Sequence, residues 1–210
     1  GADGATHHGA LDLAYMRTIP NMTVAAPMDE IELRNMMYTA QLPDKGPFSI
    51  RYPRGQGVHI EWKKPFREIQ VGRGRKLSSG EEVAILTIGH TGNFAREAIE
   101  KCEAQNIQVA HYDMRFLKPI DEELLHEAGK KYKYIITVEE GTILGGLGSA
   151  VMEFMAENQY AVKIKRLGIP DRFIEHGKPE ELQKACGFDA EGIYQAIRSI
   201  VKPHVLSNAG

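Results

Sequence analysis

Three glycines, one carboxylate and two adjacent imidazoles crowd the first nine residues, Gly1-Ala2-Asp3-Gly4-Ala5-Thr6-His7-His8-Gly9. Imidazole moves protons near neutral pH, a carboxylate hydrogen-bonds a substrate or orients the imidazole, and glycine lets backbone approach a ligand closely. The segment reads as an active-site loop; the plain alternative is a solvated chain end. A cationic group stands further on, at Arg51-Tyr52-Pro53-Arg54-Gly55. Two guanidiniums around a fixed proline turn suit a phosphate or carboxylate, which an arginine fork grips bidentately. Here the alternative is a pair of solvated or ion-paired arginines. The chain opens without Met and without a strand before the loop, so it reads as the continuation of a longer protein.

Elements that hold these groups follow in order. Leu11 to Arg17 has helix-compatible spacing and stops before Ile19-Pro20-Asn21. Met22 to Ala26 is a short apolar run ended by Pro27, a buried strand. Asp29 caps a helix from Glu30 to Gln41, with Ile31, Leu33, Met36, Met37 and Ala40 as its expected apolar side. Pro47 to Tyr52 reads as a strand that delivers Arg51 and Arg54 to its carboxyl end, where open parallel sheets bind ligands. Residues 58–80, with Lys63, Lys64, Arg67, Arg73 and Arg75 among glycines, read as a solvated linker or short hairpin.

From Glu82 the pattern becomes strand then helix, repeated. Strands are expected at Val83 to Ile88, Ile107 to Tyr112, Tyr134 to Val138 and Val162 to Leu167. Helices are expected at Asn93 to Gln105, Asp121 to Lys131, Gly148 to Glu157, Glu180 to Ala185 and Ala190 to Val201. This alternation predicts an α/β domain with a mostly parallel sheet over residues 81–210.

Composition narrows the classes. With 210 residues, 42% hydrophobic and 26% charged, the chain is ordinary globular material, and a net charge of -2 gives no basic surface for nucleic acid. Cys102 and Cys186 alone form neither a disulfide framework nor a zinc site, which fits a reducing cytosol and a cytoplasmic location. No apolar run is long enough for a membrane span.

The blocks Asp3-Gly4-Ala5-Thr6-His7-His8-Gly9, Asp12-Leu13, Ile19-Pro20-Asn21-Met22, Pro27-Met28-Asp29-Glu30 and Arg51-Tyr52-Pro53-Arg54-Gly55 together resemble the 1-deoxy-D-xylulose-5-phosphate synthase family. That family belongs to the transketolase-like enzymes that use thiamine diphosphate. The resemblance implies that residues 1–57 are the last part of a pyrimidine-binding domain, 58–80 a linker and 81–210 a transketolase C-terminal-like domain. It implies a reaction of pyruvate with glyceraldehyde 3-phosphate giving 1-deoxy-D-xylulose 5-phosphate and CO2, feeding isoprenoid, thiamine and pyridoxal synthesis. Thiamine diphosphate, Mg2+ and a homodimer are implied with it. By the same resemblance His7 is the catalytic histidine, Asp3 the acidic residue of its loop and Arg54 the phosphate-binding arginine; His8 carries no role. The family's Gly-Asp-Gly diphosphate motif and its activating glutamate do not occur in this chain, so the chain by itself is expected to be inactive. Two other readings stay open: a β subunit of a 2-oxo acid dehydrogenase, and a non-catalytic dimerisation module.

Further features invite functional readings. Glu139-Glu140 at a strand end would point to opposite faces, against an acid/base pair. Gly145-Gly146-Leu147-Gly148-Ser149 before a helix has the look of a phosphate cradle, with close helix packing as the simpler cause. Cys102 reads as a buried apolar residue, His176 as a loop histidine near the domain interface, and no spacing marks a metal site.

Overall fold

The longest apolar stretch, Val83 to Ile88, dictates the larger of two sheets. In the computed structural model, which describes residues 1, 3–58, 61 and 63–205 with side chains through 201, Val83–Thr87 is a strand buried along its whole length. The last five residues of the expected 81–210 domain, and residues 59, 60 and 62 of the expected linker, lie outside the described ones.

In chain order the elements are α1 (Asp12–Arg17), β1 (Thr23–Ala25), α2 (Glu30–Ala40), β2 (Phe48–Ile50), β3 (Arg75–Ser78), β4 (Val83–Thr87), α3 (Thr91–Glu103) and β5 (Val109–Asp113). They continue with β6 (Phe116–Lys118), α4 (Glu122–Lys131), β7 (Tyr134–Thr142), α5 (Leu147–Glu157), β8 (Lys163–Ile169), α6 (Pro179–Cys186) and α7 (Ala190–Val205). The larger sheet runs β3-β5-β4-β7-β8, parallel except for the antiparallel edge strand β3. Successive residues of β4 face opposite layers: Ala84 and Leu86 pack with Leu125, Val151 and Phe154 of α4 and α5, Val83 and Ile85 with Ala98, Cys102, Ile193 and Ile197 of α3 and α7. Cys102 is fully buried there, and burial pushes its thiol up to about 11.

The smaller sheet runs β2-β1-β6, with β1 and β2 parallel and β6 antiparallel to β1. Strand β6 was not expected from the sequence, because three residues are too few for a periodic signal and its partner lies some ninety positions earlier. It leaves β5 through Arg115, whose φ of 56° is left-handed, and so carries chain from the larger sheet into the smaller. Strand β3 lies inside the stretch read as a solvated linker or short hairpin, and Ile69 before it is buried.

Helix α2 begins as its sequence dictates, with the Asp29 carboxylate accepting from the Glu32 N–H at 2.9 Å. Its buried face differs from expectation. Glu32, Asn35, Met36 and Thr39 are buried, while Met37 is exposed. The cause is polar: Asn35 Oδ1 accepts from Arg67 N at 3.0 Å and Thr39 Oγ1 from Ile69 N at 2.9 Å, so the helix supplies the hydrogen bonds of a strandless segment.

Glu32 anchors the seam between the sheets. Arg115 grips it through Nε at 2.6 Å and Nη2 at 2.9 Å, Arg75 adds Nη1 at 3.3 Å, and Arg75 Nε also donates to Asp113 at 2.9 Å. Burial, outweighing Arg75, raises the Asp113 carboxyl from an ordinary 3.8 to about 6. Between those values the folded state keeps a proton that the unfolded chain has released, so this group's contribution to stability falls as pH rises from about 4 to 6. Asp113→Asn removes that dependence. Measured by urea unfolding of the full-length protein, the stability difference, Asn minus wild type, should move in favour of Asn by about 2 kcal/mol between pH 4 and 7. A flat difference would mean that Asp113 titrates as it does in the unfolded chain.

Candidate functional site

The loop of Asp3 to Gly9 and the turn of Tyr52 to Gly55 meet across one cleft of about 530 Å³. The loop is shaped by a turn in which His7 N donates to Gly4 O at 3.0 Å, with Gly4 at φ 88° and Gly9 at φ 65°. It is tied to the larger sheet where Thr142 N donates to Ala10 O at 2.7 Å. The turn is set by β2, whose ladder continues one residue further as Arg51 N donates to Ala25 O at 2.9 Å. Both segments therefore leave carboxyl ends of strands or pack against them.

The three candidate residues come together there. Arg54 Nη1 lies 2.6 Å from Asp3 Oδ2, and the Arg54 side chain is 87% exposed. An exposed ion pair of this kind holds weakly, so the guanidinium is open to a competing anion. His7 is exposed on the cleft rim, its Nδ1 at 2.9 Å from Thr6 Oγ1. Thr6, not Asp3, thus occupies the orienting position on the imidazole, and Asp3 is on Arg54 instead. His8 turns back on its own loop, with Nε2 at 3.1 Å from Gly1 O.

Behind the rim lies a polar cluster whose assembly the sequence does not show, although Arg51 and Glu140 each stand out in it. Arg51, 12% exposed, donates through Nη1 to Glu140 Oε2 at 3.0 Å and has Nε at 3.7 Å from Asp12 Oδ2. Gln183 of α6 donates to Glu140 Oε1 at 3.0 Å, and His90 Nε2 stands 3.4 Å from Oε2. Burial raises the Asp12 carboxyl, with Arg51 opposing it. Burial, only partly offset by Glu140, holds His90 below its ordinary range. Burial opposes ionisation of Glu140 too, yet the proximity of His90 and Arg51 outweighs it and keeps that carboxyl low. The far wall is apolar, formed by Ile169, Ile174, Leu182 and Phe188.

Glu139 points the other way, as residues alternating along a strand must. Its oxygens accept from Leu147 N at 2.8 Å and Gly148 N at 2.9 Å, at the start of α5. The glycine-rich segment is therefore filled by the protein's own carboxylate, and a Cβ on Gly146 would fall 1.9 Å from it. Burial outweighs both hydrogen bonds and pushes Glu139 up to about 7. Among the described residues no three His, Cys, Asp or Glu side chains cluster to hold a metal ion, and no helix is long and apolar enough to cross a membrane.

Comparison with known proteins places this architecture. Residues 72–193 match the transketolase C-terminal domain, more than half of the chain. The chain belongs to the transketolase C-terminal domain family. Ahead of this transketolase domain, residues 1–58 match the transketolase pyrimidine-binding domain. Over 198 residues the chain is 60% identical to a 1-deoxy-D-xylulose-5-phosphate synthase from Bacteroides fragilis, covering 94% of this chain and 31% of that protein. It is 61% identical over 201 residues to a synthase of the same name from Cytophaga hutchinsonii, covering 95% of this chain and 32% of the other. A solved structure titled as a split-gene transketolase, an inactive β4 tetramer, superposes with a TM-score of 0.77 at 33% identity, covering 93% of this chain and 62% of that one. The chain spans about a third of the length of the curated relatives it matches.

Proposed function

We propose that the full-length protein condenses pyruvate with glyceraldehyde 3-phosphate to 1-deoxy-D-xylulose 5-phosphate and CO2, and that this chain supplies one wall of its active site. The observation that carries the reading is the meeting of Asp3, His7 and Arg54 on a single cleft from segments some fifty residues apart. The names borne by the close relatives support the same reaction. Thiamine diphosphate, when bound, supplies the electron sink that lets a carbon–carbon bond beside a carbonyl break and re-form. An imidazole and an exposed guanidinium on the rim fit a site for a carbonyl substrate with an anionic tail. The described residues offer no group of three His, Cys, Asp or Glu side chains for Mg2+.

In this reading Arg54 exchanges the Asp3 carboxylate for the acceptor's phosphate, a doubly charged and better matched partner. The freed Asp3 then faces the acceptor hydroxyls. His7 donates a proton to the acceptor carbonyl oxygen as that oxygen becomes a hydroxyl, with Thr6 fixing the ring. The apolar far wall keeps water from the reacting carbons. The chain alone is inactive in this proposal, and the inactive state named for the split-gene relative supports that. A homodimer in the cytoplasm, working in isoprenoid synthesis, completes the proposal.

The decisive assay is CO2 release by the full-length protein with thiamine diphosphate, Mg2+ and pyruvate, with and without glyceraldehyde 3-phosphate. Release that depends on the aldehyde and yields a five-carbon ketose phosphate is the expected result; release indifferent to it overturns the reading. Arg54→Ala should raise KM for the phosphorylated aldehyde about 10- to 100-fold, since hydrogen bonds to charged groups are worth about 1.5–3 kcal/mol. Unphosphorylated glyceraldehyde should be nearly unaffected. An equal effect on both aldehydes would remove the phosphate role.

A further inference from the structure

Arg51 stands three residues before Arg54, yet its surroundings are opposite. It is nearly buried, and a carboxylate from α1 and one from β7 flank it. Asp12 reaches it from the start of α1, using its other oxygen to accept from Leu13 N at 2.9 Å. The near side of Asp12 fills the space beside Gly9, where an added Cβ would lie 3.4 Å from Oδ2. Glu140 reaches it from β7 and is itself held by Gln183 at 3.0 Å. One guanidinium thus ties the exit of the His7 loop, the root of the Arg54 turn and the larger sheet. At 12% side-chain exposure, and with one N–H donated to Glu140, it is far less open to a substrate anion than Arg54 at 87%.

We infer that Arg51 is a positioning residue: bridged between Asp12 and Glu140, it fixes the turn that aims Arg54 at the acceptor's phosphate. The inference rests on the proposed acceptor site and adds to it a dependence on the second domain, because Glu140 and Gln183 belong to β7 and α6. The backbone bond from Arg51 N to Ala25 O holds the start of the turn, but only the side chain fixes it against the opposite wall. Methionine at this position fills similar volume and leaves Asp12 and Glu140 without their shared partner.

The test uses the full-length protein and the ratio of kcat/KM for glyceraldehyde 3-phosphate to that for glyceraldehyde. Arg51→Met should lower this ratio about tenfold or more, as misplacement by an ångström costs up to about 10²-fold. Glu140→Gln should lower it in the same direction, Arg51→Lys should restore part of it, and KM for pyruvate should stay within about twofold. Because Arg51 acts through Arg54, the double variant Arg51→Met/Arg54→Ala should show the ratio of Arg54→Ala alone. Equal losses on both aldehydes, or full additivity in the double variant, would overturn the inference and leave the phosphate role of Arg54 standing. An Arg54→Ala variant that keeps full discrimination would remove the phosphate reading and this inference with it. Should Arg51→Met fail to fold, Glu140→Gln alone and combined with Arg54→Ala carries the same comparison.

Discussion

Glu32→Ala should cost the full-length protein about 3–5 kcal/mol of unfolding free energy, the loss typical of removing one partner from a buried ionic group. The Glu32 side chain is only 7% exposed and receives three guanidinium contacts, two from Arg115 and one from Arg75. Its removal leaves Arg115 at 18% side-chain exposure with no carboxylate on its fork. Arg115 also sits at φ 56°, a conformation most residues avoid, and its carbonyl accepts from Ala26 N at 2.9 Å. Loosening it therefore loosens the entry into β6 and the contact between the sheets. Urea unfolding measures the loss. The double variant Glu32→Met/Arg115→Met should be less destabilised than the sum of its single changes, because neither charge is then left buried alone. Additive losses would mean that the two residues do not share one interaction.

That seam marks a boundary of what the amino-acid order reveals. The strand β4 announces itself through six consecutive residues fit for a buried sheet, and α4 through Asp121, whose carboxylate accepts from Leu124 N at 3.1 Å. Such signals are local, since a cap or an apolar run needs no distant partner. The buried face of α2 is not local. Its apolar residues suggest Ile31, Leu33, Met36, Met37 and Ala40 as the inner side; Met36 is buried, but Met37 is exposed and Glu32 is drawn inward by arginines 43 and 83 positions away. Strand β6 is invisible for the same reason, and so is the role of β3 as an edge.

The candidate site divides along similar lines. Asp3, His7 and Arg54 are legible because their residue types carry chemistry and their neighbours are glycine and proline. Their juxtaposition, with Asp3 on Arg54, is not, and neither is Thr6 as the partner of His7. Glu140 shows how near the signal lay. Alternation along a strand argues that Glu139 and Glu140 face apart, and they do, but which side holds the cleft depends on how β7 continues past Val138 beside β8. Once that is known, Glu139 becomes the cap of α5 and Glu140 the anchor of Arg51.

His7→Ala in the full-length protein should lower kcat about 10²- to 10³-fold, within the span of a positioned general acid or base. KM for glyceraldehyde 3-phosphate should change less than about threefold, because an interaction made only as the proton moves does not strengthen ground-state binding. The geometry favours this split. The imidazole is exposed on the rim and held by one hydroxyl, with no carboxylate on its ring among the described residues. In the proposed reaction anion binding falls to Arg54, so each residue's loss should appear in a different kinetic constant. Thr6→Val, which keeps the shape and removes the hydroxyl, should lower kcat by about tenfold, the cost of about one hydrogen bond to the ring. Combined with His7→Ala it should add nothing, since it acts only through the imidazole. A Thr6→Val effect that persists without the imidazole would assign the hydroxyl to the substrate, and a rise in KM matching the fall in kcat/KM would make His7 a binding group.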